Sequence, residues 1–377
     1  MQILIAPDSF KDCLSARQVA QALSQGFRKA MPEALIRTIP MADGGEGTVD
    51  SIIDATGGSV MEVTVMDPLS REIPSFFGVS GDGSTAVIEM AAASGLELLE
   101  PGERDPWITS TFGTGQLIRH ALDRGCRKIL LGIGGSATND GGLGMAMALG
   151  VRFLDGKGRA VGQGGGALAD VKRIEMGDLD PRIGQSEIRV ACDVTNPLTG
   201  TGGASQLYGP QKGADPGMVK RLDNNLRHFA GVISEEVGME IEEVPGAGAA
   251  GGLGAGLMAF LGAKLVRGFD MVSESVGLER EIALADLVIT GEGKLDRQTQ
   301  FGKTPFGVAQ LAKKHGKPVI GVAGTVDEGA EELYGGGFQL ILSIQERPVT
   351  LEAAIRNAPV LLERTGERIA RMLRLTV

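Results

Sequence analysis

The sequence predicts an α/β protein of two domains: a parallel-sheet domain formed by both chain ends, and an inserted α/β domain. Three observations carry this. Both ends alternate short apolar runs with amphipathic stretches. The middle breaks that rhythm with longer glycine bursts. The length, 377 residues, exceeds most single domains and suits two of ordinary size.

Gln2 to Ala6 is an apolar run halted by Pro7, which reads as a buried strand. Ser15 then caps a helix over Ala16 to Ala30, with Val19, Ala20, Leu23 and Phe27 on one face. Leu35 to Ile39 is a second strand, stopped by Pro40. A glycine loop, Ala42 to Gly47, leads to a helix near Val49 to Ala55, and Val60 to Val65 alternates like a strand. The C-terminal hundred residues repeat the grammar. Strands are expected at Asp286 to Thr290, Lys317 to Ala323 and Phe338 to Ser343, with helices at Pro305 to His315 and near Val360 to Leu373. In the middle, Ile129 to Ile133 and Ile188 to Cys192 read as strands and Met218 to Val237 as a long amphipathic helix. The expected division is therefore residues 1–75 with 275–377, and an insert over 76–274, with the active site in the cleft between the two domains.

Hydrophobic residues make up 42% but aromatics only 4%, so the cores must be mostly aliphatic. The 58 glycines follow no strict period, which excludes collagen, and instead mark sharp turns or close backbone approaches. The formal net charge is -10 and no Lys/Arg-rich run exists, so nucleic acid is not an expected partner. An anionic substrate must be held by local groups against that field. Cys13, Cys126 and Cys192 are scattered and odd in number, which suits a reducing compartment and argues against a zinc site. No apolar run reaches the length of a membrane span, and the expected setting is cytoplasmic with no membrane partner.

In open parallel sheets, ligands bind beyond the carboxyl ends of the strands. The segment after each expected strand is polar: Asp8-Ser9-Phe10-Lys11, Asp43-Gly44-Gly45-Glu46, Gly291-Glu292-Gly293-Lys294-Leu295-Asp296 and Gly324-Thr325. The insert adds the burst Gly134 to Gly142 and the segment Asp193 to Asn196. Each has an ordinary reading as a turn, a cap or a solvated charge. The Gly134–Gly142 run exceeds what a turn needs, and such a run supplies backbone N–H groups for phosphate. Other motifs fail. Gly302-Lys303-Thr304 ends like a P-loop, but Arg297 stands where that motif needs glycine. Gly246 to Gly251 has dinucleotide spacing, yet Pro245 precedes it and no strand leads in, so a phosphate contact or close helix packing is expected there. The histidines His120, His228 and His315 are isolated, so a hydrolytic triad lacks a base. Carboxylates, lysines and glycine cradles remain, the parts that phosphoryl transfer needs.

These motifs, taken together, resemble the type I glycerate kinases along essentially the whole chain. The matching stretches are IAPDSFK (5–11), PMADGGEGT (40–48), GIGGSATNDGGLGM (132–145), CDVTNPL (192–198), YGPQKGA (208–214), GAGAAGGLGAGL (246–257) and ITGEGKLDRQTQFGKTPFGVA (289–309). The resemblance implies a Rossmann-like domain with an inserted α/β domain. It implies transfer of the ATP γ-phosphoryl group to D-glycerate with Mg²⁺, giving 2-phosphoglycerate. It leaves the oligomeric state open.

Expected roles rest partly on chemistry. Gly134, Gly135, Ser136, Thr138, Asn139 and Asp140, with Gly291 and Gly293, would hold the ATP phosphates. Lys294 and Lys11 would neutralise transferred charge, and Asp296 and Asp43 would serve Mg²⁺ or its water shell. Asp193 is the expected base, with Asp296 its competitor. Asp8, Ser9, Asp43, Glu46, Asn196, Gln211 and Lys212 would line the glycerate site, with Gln211 and Lys212 on the glycerate carboxylate or a phosphate. The rival functions are a kinase for another small hydroxy acid, a 3-phosphoglycerate-forming kinase, and a non-catalytic organic-acid or phosphate binder.

Overall fold

Thirteen strands, β1 to β13 in chain order, form three sheets among the described residues, 1–375, of this computed structural model. They fall into two compact units. The first comprises Met1–Asp43, Asp50–Ala55 and the chain from Phe269 onward. Its strands are β1 (Gln2–Ile5), β2 (Leu35–Thr38), β11 (Leu287–Leu295), β12 (Val319–Val326) and β13 (Leu340–Ser343). All are parallel, in the order β13-β12-β11-β1-β2. β1 is short but central. Ile3, Leu4 and Ile5 are buried, and Ile3 registers with Leu287 from the far end of the chain. Both chain ends thus build one sheet, as the sequence predicts.

The helix Ala16–Ala30 begins where Ser15 and Gln18 exchange side-chain and backbone hydrogen bonds, a capping box. It packs on the C-terminal helix Leu351–Leu373, which starts earlier than its apolar pattern suggests because Thr350 caps the amide of Ala353. The two helices approach through glycine. A Cβ on Gly26 would fall 1.9 Å from the Glu363 carbonyl oxygen, and one on Gly366 would fall 2.4 Å from that of Leu23.

The second unit comprises Gly44–Val49 and Thr56–Gly268. It carries β3 (Ser59–Met66), β4 (Glu72–Val79), β5 (Thr85–Glu89), β6 (Lys128–Gly132), β9 (Glu187–Ala191) and β10 (Lys264–Val266) in one sheet, ordered β10-β9-β6-β5-β4-β3. The β3-β4-β5 edge is antiparallel and the rest parallel. β7 (Arg152–Leu154) and β8 (Arg173–Glu175) make a separate ribbon. The strand over Val60 to Val65, grouped by sequence with the terminal strands, belongs here instead. Its hairpin with β4 decides the matter, and the expected boundaries near 75 and 275 shift accordingly. Scarce aromatics are concentrated: Phe153, Phe229 and Phe260 meet with centroids 5.4 to 6.2 Å apart.

The glycines of the 246–256 stretch serve close packing. A Cβ on Gly251 would fall 2.0 Å from the Thr138 carbonyl, and one on Gly256 would fall 2.5 Å from that of Gly141. Two glycine bursts thus pack backbone to backbone. Ala250, Gly251 and Gly252 all take left-handed angles, which break the helix Ala249–Leu261 near its start.

Candidate active-site groups of the two units

In the first unit, polar groups collect at the carboxyl ends of β1 and β11. Asp8 comes after β1, directly beyond Pro7. Its amide donates to the Gly291 carbonyl (2.8 Å), and its carboxylate accepts from the Ser9 amide (2.6 Å). Burial pushes the Asp8 carboxyl up to about 7, and the charges of Asp43 and Glu292 add to this. The Thr304 hydroxyl and the Ser9 amide oppose the rise.

The expected loop at Gly291–Gly293 does not exist. β11 runs on to Leu295, so Gly291, Glu292, Gly293 and Lys294 are strand residues. Gly291 is bare because a Cβ there would fall 1.8 Å from the Val322 carbonyl on β12. Its lack of a side chain thus serves the sheet. Glu292 accepts from the Thr299 hydroxyl (2.9 Å) and pairs with Lys303 (3.2 Å). Burial raises its pKa although Lys303 pulls the other way. Lys294 is half-exposed and bridges Asp296 (3.2 Å) and Asp327 (2.9 Å). These two carboxylates, Asp327 foremost, hold its pKa above the usual lysine value. Asp296 caps the turn over Arg297–Gln300 by accepting from the Gln298 amide (2.8 Å). Burial works to raise its pKa, but Lys294 and the Gln298 amide outweigh it and the result is lowered. Lys11 and Asp43 are exposed. Among the described residues no group of three His, Cys, Asp or Glu is placed to hold a metal. One or two carboxylates acting with nucleotide phosphates remain compatible with Mg²⁺, which keeps most of its waters in such sites.

In the second unit, three loops lie at the carboxyl ends of β6 and β9. The first is Gly44–Gly47. A Cβ on Gly44 would fall 2.2 Å from that of Ala191, and one on Gly132 would fall 2.2 Å from the Gly44 carbonyl, so glycine at both positions lets the loop lie on the strand ends. Glu46 on this loop is exposed. The second loop is Gly134–Gly142, and it divides in two. Gly134 and Gly135 are exposed, and neither their amides nor that of Ser136 donates a hydrogen bond within the described residues. From Thr138 on, the segment is core. Asp140 is fully buried and accepts from the Thr111 amide and hydroxyl (both 2.8 Å), the Gly142 amide (3.1 Å) and the Gly144 amide (3.2 Å). The Met145 amide is taken by the Thr111 hydroxyl. The expected cradle of amides over the whole run is thus corrected: its second half serves its own carboxylate. Burial raises the Asp140 pKa, against these donors. Asn139 is also in the core, with its amide nitrogen on the Ser205 hydroxyl.

The third loop holds Asp193 and Asn196. Asp193 is exposed, and its carboxylate accepts from the Gly268 amide (3.1 Å). The backbone carbonyl of Asn196 accepts from the Gly246 and Gly248 amides, while its buried side-chain oxygen has no partner. Gln211 is exposed, but Lys212 beside it is buried, with its ammonium on the Ser136 hydroxyl and the Thr138 carbonyl (both 2.6 Å). Burial lowers the Lys212 pKa to about 7, and Asp140 opposes this. Lys212 therefore contacts its own protein, not an open substrate surface as expected. Thr111 escapes sequence reading altogether, being buried and far from its partner along the chain. Glu292, Lys303 and Thr304 had a visible signal in the polar run at the end of the expected strand.

Carboxylates, lysines and a glycine loop with unengaged amides at the carboxyl ends of parallel strands are the groups that an α/β phosphotransferase uses. A profile of the glycerate kinase family matches residues 3–374. A glycerate kinase of Halalkalibacterium halodurans is 52% identical over 98% of this chain and 97% of its own. The glycerate 2-kinase of Escherichia coli (strain K12) is 50% identical over 99% of this chain and 98% of its own. A crystal structure described as a glycerate kinase 2, from Salmonella typhimurium LT2, superimposes with a TM-score of 0.92 at 49% identity, covering 100% of this chain and 99% of that one. The chain belongs to the glycerate kinase family.

Proposed function

We propose that this enzyme transfers the γ-phosphoryl group of ATP to the C2 hydroxyl of D-glycerate, giving 2-phosphoglycerate and ADP. The observation that carries the reading is the end-to-end kinship at about half identity with a protein named glycerate 2-kinase. The stretch Gly134 to Ser136, exposed at its two glycines and with three unengaged amides, supports a phosphate seat.

Each group has a proposed role. The amides of Gly134, Gly135 and Ser136 hold nucleotide phosphate. Lys294, set by Asp296 and Asp327, neutralises charge on the transferring group. Asp193 accepts the hydroxyl proton as the glycerate oxygen bonds to the γ-phosphorus and ADP leaves. Asp43 would hold Mg²⁺, directly or through water, and the ion would offset charge on the nucleotide phosphates. Asp296 is better suited to orienting Lys294, since its oxygens already meet Lys294 and the Gln298 amide. Asp8 and Ser9 remain proposed substrate contacts. Three free cysteines fit a reducing, cytoplasmic setting.

ADP release measured with MgATP and a panel of small hydroxy acids tests the reading. D-glycerate is expected to give the highest kcat/KM. A better acid would move the assignment to a related kinase, and no release with any acid would overturn it.

A further inference from the structure

Lysine is almost never fully buried unless it is paired. Lys212 is 1% exposed, and its two short hydrogen bonds reach a loop more than seventy residues away in sequence. The turn that carries it is fixed. Pro210 opens it, and Gly213 closes it in a left-handed conformation with φ 97°. A Cβ on Gly213 would fall 2.1 Å from the Arg104 carbonyl, so the turn lies against that backbone. The loop it reaches is pinned on another side by the segment Ser94–Leu96. The Leu96 amide donates to the Gly135 carbonyl (2.8 Å), and the Ala137 amide donates to the Ser94 carbonyl (2.9 Å). Between these fastenings Gly135 takes a left-handed φ of 73°.

We propose that Lys212 is a positioning residue for nucleotide binding: its buried ammonium grips the Ser136 hydroxyl and the Thr138 carbonyl, and so holds the Gly134–Ser136 loop as a preformed phosphate seat. The inference rests on the reading of that loop as the phosphate site. Two physical effects support it. A loop with two glycines has much conformational freedom to lose on binding, and fixing it beforehand removes that cost. A bound polyanion also favours the charged form of Lys212 against the burial that lowers its pKa to about 7, so phosphate and ammonium strengthen each other in a protein whose net charge is -10. Asp140, whose carboxylate is occupied by the amides and hydroxyl named above, is the charge that faces Lys212 from the same core.

A purely structural lysine predicts lost stability and nothing particular to one substrate. A positioning lysine predicts a split between the substrates. Lys212→Met keeps an unbranched side chain, one atom shorter, and removes its charge and donors. Gly135→Val probes the loop itself. Both are measured with ATP and D-glycerate, with folding checked by thermal melting and by the fluorescence of the single tryptophan, Trp107. Lys212→Met is expected to raise the KM for ATP at least tenfold. Its kcat at saturating ATP should stay within threefold of wild type and its KM for glycerate within twofold. Gly135→Val should raise the KM for ATP as well. A folded Lys212→Met with an ATP KM within twofold of wild type, beside a damaged Gly135→Val, overturns the role of Lys212 and leaves the phosphate seat standing. An unchanged ATP KM in Gly135→Val overturns the seat and this inference together. A loss in Lys212→Met confined to kcat or to glycerate KM also overturns it. Should Lys212→Met not fold, Lys212→Gln, which keeps a donor toward Ser136, is judged by the same limits.

Discussion

The Asp140 carboxylate takes both the amide and the hydroxyl of Thr111 on one oxygen, each at 2.8 Å, in a fully buried setting. The same carboxylate collects the Gly142 and Gly144 amides and so closes the start of the short helix Leu143–Ala148. Asp140→Asn turns one acceptor oxygen into a donor that faces N–H groups. Buried charged hydrogen bonds of this kind contribute about 1.5–3 kcal/mol each, so a loss of roughly 3 kcal/mol or more is expected. Urea unfolding checks it. A loss below about 1 kcal/mol would contradict a structural role for Asp140.

The carboxyl of Asp8 gives a pH dependence of known sign. Its pKa is about 7 in the folded chain against 3.8 for an ordinary aspartate. The folded state therefore binds the proton more tightly between these values. The contribution to stability is present below about pH 4 and is lost as pH rises toward 7. Asp8→Asn removes this penalty. Measured by thermal melting without metal or nucleotide, the variant should match wild type near pH 4 and melt higher than wild type near pH 8. A variant that is less stable at pH 8 would contradict the assignment.

Lys294 stands between Asp296 and Asp327, which set its position without burying it. If it neutralises the transferring phosphoryl group, Lys294→Ala should lower kcat about 100-fold, in line with the removal of one electrostatic stabiliser. Steady-state kinetics decide. A loss under threefold would leave Lys294 as a solvated ion pair.

Asp193 lies just beyond β9, and its carboxylate is steadied by the Gly268 amide. Asp193→Asn preserves shape and can still approach that amide through its side-chain oxygen. It should keep both KM values within about threefold while cutting kcat by about 100-fold, a typical scale for general base catalysis. Near-normal turnover in a folded variant would move the role to another carboxylate.

Much of the fold was legible because apolar runs were punctuated by proline or glycine. Ile3 to Ile5 before Pro7, and Val288 to Thr290 before Gly291, are both strands in the sheet. The extension of β11 through Gly291 to Leu295 was not legible. Its glycines resemble a loop until the β12 carbonyl at Val322 is seen to need the space. The allocation of β3 was hidden for a related reason: alternation identifies a strand and not its partner. The Gly134–Gly142 burst was visible, but its division into an exposed glycine pair and a buried brace was not. That division depends on Thr111, Ser205 and Lys212, which reach the loop only through the tertiary fold.

The most direct test of the proposed reaction is the product formed from MgATP and D-glycerate, identified by phosphorus and proton NMR. The expected spectrum shows ADP and a phosphoryl group coupled to the single proton on C2, the mark of 2-phosphoglycerate. Coupling to the C3 methylene would contradict the regiochemistry and keep the kinase. A mixture that retains ATP and unmodified glycerate, with enzyme shown to be folded, would contradict the account at its centre.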